Sequence, residues 1–440
     1  MASLLVRGGT VLTMSDDLRV VRGEVSVRDG RIEAVGAGLP GSWDTIIDAT
    51  DALVLPGFVQ SHVHLCQTLF RGLADDLPLL EWLRTRIWPL EAAHTPGTLR
   101  ASARLAALEL LTGGTTTVLT METVHDTEAV FEAVAEIGLR AVIGKCMMDA
   151  DAAAPRRLLE PTQASIDESL SLRKRWHGAA GGRIRAAFAP RFAVSCSQDL
   201  LEAVGALAAG HGALVHTHAS EQQPEVELIR QRTGRRNVQY FEDIGLASER
   251  LCLAHCIWID EAEQEILASR GVKVLHCPSS NLKLGSGIAP VPELRARGVS
   301  VSLGADGAAC SNRLDMFEEM RLAALLQSAR RSPGALTARD AVWMATREGA
   351  RALGLDAEIG SIEPGKRADL VVVPLDRPHL LPGGDPYSTL VYAARPTDVR
   401  ATIVDGEVLV RDFQPTGLDP EAIVAEARAA ARDLRSRAGC

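Results

Sequence analysis

Five residues able to bind or assist a metal ion lie where apolar runs of the sequence end. His62 and His64 close VLPGFVQSHVHL, His218 closes ALVHTH, Asp306 closes VSVSLGAD, and His255 closes LCLAH. Imidazole nitrogens and carboxylate oxygens are the usual catalytic ligands of zinc and similar divalent ions, and a catalytic site keeps one position open for water. On an extended strand residues two apart face the same side, so one ion can take both His62 and His64. His216 and His218 share that spacing, but only one is needed, and His216 reads as a packed, hydrogen-bonded neighbour. Asp306 completes the set as ligand and as acceptor of a water proton, the ion lowering the pKa of that water. Glu221, just past the His218 strand end, is placed to act as general base and then general acid. His255 reads as a donor to the attacking oxygen or to the developing tetrahedral centre. His276, in HCPSSN, reads equally as site wall or structural residue; His94, His125, His177, His211 and His379 carry no spacing argument.

Groups so far apart in sequence need a scaffold that brings strand ends together. Candidate strands fall at 54–61, 113–121, 139–148, 183–190, 213–220, 251–257, 273–279 and 301–307. Helical stretches such as TLRASARLAALELLT, SQDLLEAVGALAAG and DEAEQEILASR separate most of them. Eight strands with crossover helices predict an α/β fold, a (β/α)8 TIM barrel with its active site at the C-terminal strand ends. The five polar residues fall at those ends of strands 1, 5, 6 and 8. Short strands with Asp29-Gly30 and Asp405-Gly406 turn signals occupy both ends of the chain. They predict a small β-sandwich from residues 1–55 and 368–416, around a barrel spanning 56–367. Residues 417–440 have helical composition and end in basic residues.

At 440 residues the chain suits such a barrel plus a smaller domain. An apolar fraction of 46% and a charged fraction of 23% are ordinary for a globular protein. The net charge of −9, from 47 basic and 56 acidic residues, comes with no basic block. Nucleic acid and anionic membrane are therefore not expected partners. The opening MASLLVRGGTVLTM does not read as a secretory signal, and no stretch of about 20 apolar residues is present to span a bilayer. Eight scattered cysteines without a CxxC pair read as reduced structural thiols of a cytoplasmic protein.

The motifs PGFVQSHVHL, HTHASE, AHC, HCPSSNLKLGSGIAPV, LGADGAACSN and GSIEPGKRADLVVV together resemble the amidohydrolase superfamily, within it the cytosine-deaminase-like aminohydrolases. The resemblance covers essentially the whole chain. It implies one Zn(II) ion, with Fe(II) as the alternative, on His62, His64, His218 and Asp306. Catalytic roles for Glu221 and His255 are implied too, in water attack on an amino-bearing ring carbon with loss of ammonia. Two-metal relatives carry a lysine at the end of strand 4; RIRAAFAPRF has none, and Lys145 belongs to strand 3, so a single ion is expected. Relatives are often dimers or larger, which implies a homo-oligomer, a dimer or tetramer.

Two patterns divide the substrate reading. LGADGAACSNRLDMFEEMRLAALLQ and NLKLGSGIAPVPEL resemble deaminases of S-adenosylhomocysteine, methylthioadenosine and 5′-deoxyadenosine, and more distantly s-triazine hydrolases. Glu91, in IWPLEAAH, resembles a glutamate that binds ribose hydroxyls in the adenosine-type enzymes. Those enzymes commonly carry histidine where Arg191 stands. APRFAVSCS, with Arg191 and Phe192, instead resembles guanine deaminases, as do Gln67 in HVHLCQ and DLPLLEWL with Trp82. There the glutamine and arginine hold the purine edge and the phenylalanine stacks on the ring, a donor and acceptor set that suits an oxo-purine. The DGAACSNR loop departs from that group. The expected substrate is thus a small amino-substituted purine-type heterocycle with guanine-like recognition, the alternatives being an adenosine-type nucleoside or an s-triazine.

Overall fold

A computed structural model describes residues 3–151 and 153–439, so Cys440 lies outside the described residues. Two nine-stranded sheets organise them. The first is built from both ends of the chain. Ser3–Leu12, Val20–Arg28, Arg31–Gly36, Thr45–Asp48 and Ala52–Pro56 join Leu370–Pro374, Ala401–Val404, Glu407–Arg411 and Gln414–Pro415. The two halves meet where Leu370–Pro374 runs antiparallel to Ala52–Pro56. Both Asp-Gly turns take left-handed backbone at both central residues, φ 50° and 77° at Asp29 and Gly30, and 54° and 80° at Asp405 and Gly406. That conformation matches the twist of the flanking strands.

The second sheet is parallel and carries the eight barrel strands in order. They are Phe58–His64, Thr115–Met121, Arg140–Met147, Ile184–Pro190, Val215–Ala219, Leu251–His255, Lys273–His276, and an eighth in two pieces, Val301–Leu303 and Asp306–Gly307. Strand 8 pairs with strand 7 through Val301–Leu303, bends at Gly304-Ala305, and pairs with strand 1 through Asp306 and Gly307. The bend closes the ring and sets Asp306 opposite Val63, between the two histidines of strand 1. It requires glycine, because a methyl group at 304 would lie 2.5 Å from the His62 carbonyl oxygen.

Helices begin where the sequence offers caps. Thr95 and Thr98 form a capping box for Pro96–Thr112, Ser197 caps Gln198–His211, and Asp260 with Glu263 caps Glu261–Ser269. The C-terminal helix, Pro420–Ala438, is capped by Asp419 and packs along Pro96–Thr112, with Arg104 paired to Glu426. At the opposite end of the barrel from the strand termini, Arg140 gives two hydrogen bonds of 2.8 and 2.9 Å to buried Asp369. Asp369 also accepts from the Asp405 backbone, so one ion pair ties barrel strand 3 to the terminal sheet.

Besides the split eighth strand, two expected strands differ. The run 54–61 is two strands in two sheets, because Gly57 turns the chain and donates its N–H to the Asp369 carbonyl. The apolar stretch runs from Ala52 across Gly57 to Val59, so the pattern carries no mark of the change. The seventh strand stops at His276 rather than 279, since Pro278 opens the helix Pro278–Lys283.

Replacing Gly304 with alanine is expected to lower unfolding stability by about 1–3 kcal/mol, the usual cost of forcing a methyl into a filled space. Urea denaturation checks this; an unchanged midpoint and slope would contradict a glycine-dependent closure.

Candidate active site

The strand ends bring His62, His64, His216, His218, His255 and Asp306 into one buried cluster. Each imidazole is oriented through Nδ1. His64 Nδ1 lies 2.7 Å from the Met121 carbonyl oxygen, and His218 Nδ1 lies 2.6 Å from that of Arg191. Carbonyls only accept, so these Nδ1 atoms carry a proton and Nε2 faces the cluster. His62 is served indirectly: His216 Nδ1 faces the Thr120 carbonyl at 3.4 Å, and His216 Nε2 accepts from His62 Nδ1 at 2.6 Å. His255 Nδ1 is 2.9 Å from Asn281 Oδ1.

The Nε2 atoms converge. Those of His62 and His64 lie 3.3 and 3.2 Å from Asp306 Oδ1. Candidate ligand atoms of His62, His64 and Asp306 fall within 4.8 Å of one another, as do those of His62, His218 and His255. His62 belongs to both groups. Its Nε2 is buried without a hydrogen-bond partner. Burial lowers the His62 pKa to about 4 and holds His218 well below the ordinary imidazole range, so both are neutral near pH 7. Although burial opposes it, the adjacent Asp306 carboxylate raises the His64 pKa. Neutral His62 and His218 and the Asp306 carboxylate converge in a dry site with their electron pairs opposed, a conflict that a divalent cation at their focus would remove. The donor set of imidazoles plus one carboxylate suits zinc. A third cluster, His125, Glu160 and Glu168, already holds the buried Lys145 ammonium, which bonds Glu160 and lies 3.8 Å from Glu168 Oε2.

Glu221 is buried beside this centre, its Oε2 3.5 Å from His255 Nε2, and accepts from Ser286 Oγ at 3.4 Å. Burial raises its carboxyl pKa to about 7, near balance between donor and acceptor forms. Glu225 fixes the turn, accepting the N–H groups of Ser220 at 3.3 Å and Glu221 at 2.7 Å. Positive φ values concentrate here: 53° at Ser220, 75° at His255, 46° at Cys256 and 60° at Asp306. Such strained backbone persists only where its surroundings over-determine it, commonly at functional sites.

Gln67, Trp82, Arg191 and Phe192 line the cavity above the cluster, with Leu79, Leu83 and Leu284. Glu91 does not line it. It lies behind, accepting from Arg191 at 2.5 and 3.2 Å and from Gln67 Nε2 at 3.0 Å. Gln67 Oε1 is buried and unpartnered. His276 is buried, has no partner on either nitrogen and does not line the cavity.

Residue types and spacing missed the supports. Ser280 Oγ donates to Asp306 Oδ2 at 2.6 Å, and Asn281 holds His255, both from the helix Pro278–Lys283 that follows strand 7. Glu122 accepts the backbone N–H groups of Leu65 and Cys66, at 3.3 and 2.9 Å, and so anchors the turn carrying Gln67. The HCPSSN motif held the signal for Ser280 and Asn281; nothing in the sequence singles out Glu122. All seven cysteines among the described residues are free and buried, and no described helix is long and apolar enough to cross a membrane.

Comparison with known proteins agrees with this geometry. The family model described as "Amidohydrolase family" matches residues 53–409. The 5′-deoxyadenosine deaminase of Methanothermobacter thermautotrophicus is 44% identical over 434 residues, covering 98% of this chain and 99% of that one. The 5-methylthioadenosine/S-adenosylhomocysteine deaminase of Pelotomaculum thermopropionicum is 41% identical over 443 residues, covering 99% and 100%. Among solved structures, an adenosine deaminase from Xanthomonas campestris with bound zinc aligns with a TM-score of 0.93 at 34% identity, covering 99% of both chains. The guanine deaminase of E. coli aligns with a TM-score of 0.84 at 27% identity, covering 93% of this chain and all of that one. The chain belongs to the amidohydrolase family and is a hydrolase acting on C–N bonds. The full-length relatives favour the adenosine-type alternative over the guanine-like recognition expected from Arg191, Phe192 and Gln67.

Replacing His216 with phenylalanine keeps the ring shape but removes the acceptor for His62 Nδ1. Affinity for zinc is expected to fall about 10- to 100-fold, the usual effect of losing such an outer partner. Competition against a chromophoric chelator measures it; unchanged affinity would contradict the relay.

Proposed function

We propose that this amidohydrolase removes the 6-amino group of an adenosine whose 5′ carbon is modified, releasing ammonia. The observation that carries the chemistry is the buried carboxyl of Glu221 beside a convergent set of three imidazoles and one carboxylate. The adenosine reading is supported by relatives of 40–44% identity over nearly the whole chain, named for 5′-deoxyadenosine or methylthioadenosine and S-adenosylhomocysteine.

In this reading His62, His64, His218 and Asp306 would hold one divalent cation, with zinc favoured by the donor set. Such an ion, when bound, lowers the pKa of water towards neutrality. Glu221 takes the proton that the attacking water loses and delivers it to ring N1, so that C6 becomes tetrahedral. The same carboxyl then takes the proton of the new C6 hydroxyl and passes it to the amino group, the C6–N bond breaks, and ammonia leaves with a keto group at C6. His255, 3.5 Å from Glu221 and 4.0 Å from Asp306, is placed to give a hydrogen bond to the oxygen that adds. Asn281 and Ser280 keep His255 and Asp306 facing that point.

A second reading, deamination of a free oxo-purine such as guanine, is favoured by one observation. Arg191 occupies Glu91, the residue that resembles a ribose ligand, and presents donors to the cavity together with Gln67.

Two measurements separate and test these readings. Ammonia release is expected from 5′-deoxyadenosine, 5′-methylthioadenosine and S-adenosylhomocysteine, with kcat/KM at least ~100-fold above guanine or melamine. That ratio is within reach of a site built to pair specific polar groups. Guanine turnover without adenosine turnover would reverse the order of the two readings. Replacing Glu221 with glutamine is expected to leave metal content intact while kcat falls at least ~100-fold, the scale of general acid–base catalysis. A fully active variant would remove Glu221 from the proton path.

A further inference from the structure

We infer that residues 72–87 form a lid over the catalytic cavity, and that Lys283 is a positioning residue that latches this lid to the helix holding Asp306 and His255. The inference rests on the proposed deamination in this cavity, and not on which heterocycle is deaminated. All but His218 of the residues lining the cavity are buried, so a purine reaches Glu221 only when part of the wall moves aside. The barrel strand ends do not supply that movement without dispersing the histidines they carry.

Residues 72–87 are built to supply it. They follow the turn Leu65–Phe70, and three of them, Leu79, Trp82 and Leu83, form one side of the cavity. Their other face, with Asp75, Glu81 and Arg86, is exposed. The backbone is left-handed at Gly72 and Asp76, φ 73° and 61°, and Leu83–Ile87 is a π-helical turn, a form met mostly at functional sites. Among the described residues only two polar contacts tie this stretch to other elements. The Leu79 N–H donates to Gln222 Oε1 at 3.3 Å, and Asp75 pairs with the Lys283 ammonium. Trp82 Nε1 is buried without a partner, so the shut wall leaves a donor unsatisfied that opening to water relieves.

The side chains of Lys283 and Asp75 are 25% and 43% exposed, and an ion pair that open to water is weak enough to break and reform. Lys283 holds more than Asp75. Its ammonium also bonds Asn312 Oδ1 and lies 3.4 Å from the Ala309 carbonyl, both in the loop that follows Asp306. It ends the helix Pro278–Lys283, whose Ser280 and Asn281 hold Asp306 and His255. The start of that helix is pinned, because buried Glu319 accepts from the Ser279 N–H at 3.2 Å and from its hydroxyl. Its other end is tied through Lys283 to the lid and to the strand 8 loop. Closure therefore seats the loops after strands 1, 7 and 8 together, and Asp306 and His255 are held most firmly when the lid is down.

Hydrogen exchange in the zinc-loaded, full-length enzyme tests this without turnover. Asp75→Asn keeps the side-chain shape and removes its charge. Exchange in both 72–87 and 279–284 is expected to quicken about 3-fold, the scale of one exposed ion pair. Lys283→Met also frees Asn312 and is expected to give about 10-fold. Asp75→Glu, which keeps the charge, is expected to exchange at the wild-type rate, and the helix Gln198–His211 to be unaltered in all three. On whichever of the compounds named above is deaminated, kcat is expected to fall about 3-fold in Asp75→Asn and to return in Asp75→Glu. Unchanged exchange in 72–87 for both Asp75→Asn and Lys283→Met overturns the lid. Faster exchange there, with 279–284 and kcat unaltered, overturns the positioning role of Lys283. Joint quickening of both segments in a protein that releases ammonia from none of those compounds rejects the proposed function and supports the latch.

Discussion

Imidazoles are made to aim their Nε2 atoms at one buried point, and most of the surrounding structure exists to enforce that convergence. Each ring is turned by a partner at Nδ1, a backbone carbonyl for His64 and His218, and a second imidazole for His62. Without a cation the arrangement leaves His62 Nε2 with no partner inside the protein. Unsatisfied buried polar atoms cost of order 1–3 kcal/mol each, so such a cluster persists only if something returns the loss. A divalent ion bound there would do so, and would make loading of the site and stability of the fold two readings of one equilibrium.

The barrel meets this demand through its closure. Strand 8 cannot complete the ring in one piece; it leaves strand 7 after Leu303 and rejoins at strand 1 with Asp306. The same bend that closes the sheet delivers the carboxylate to the histidines. The helix after strand 7 then locks the result, with Ser280 on Asp306 and Asn281 on His255. Positive φ at Asp306, His255 and Ser220 marks the local strain that this packing over-determines. At the other end, the buried Arg140–Asp369 pair keeps the terminal sheet fixed to the barrel, where removing either partner would strand a charge.

The convergence of these side chains was legible because each ends an apolar run and the barrel rule says where such ends meet. His62, His64, His218, His255 and Asp306 needed only strand position and side-chain type. What the sequence hid was pairing at long range. Glu91 and Arg191 stand 100 positions apart, so their ion pair left no local trace, and Glu91 appeared as a cavity residue when it lies behind one. Asn281 was overlooked because it lies beyond the expected end of strand 7, in a short helix that Pro278 opens and that aims it back at His255. The run 54–61 hid a change of sheet because burial is equal on both sides of Gly57 and only the partners differ.

The central claim is most directly tested by titrating zinc into protein stripped with a chelator, following heat by calorimetry and thermal unfolding on the same samples. One saturable site per chain is expected, with the unfolding temperature rising as the site fills. Absence of saturable binding, or a melting temperature indifferent to zinc, would contradict a structure organised around a convergent cation site.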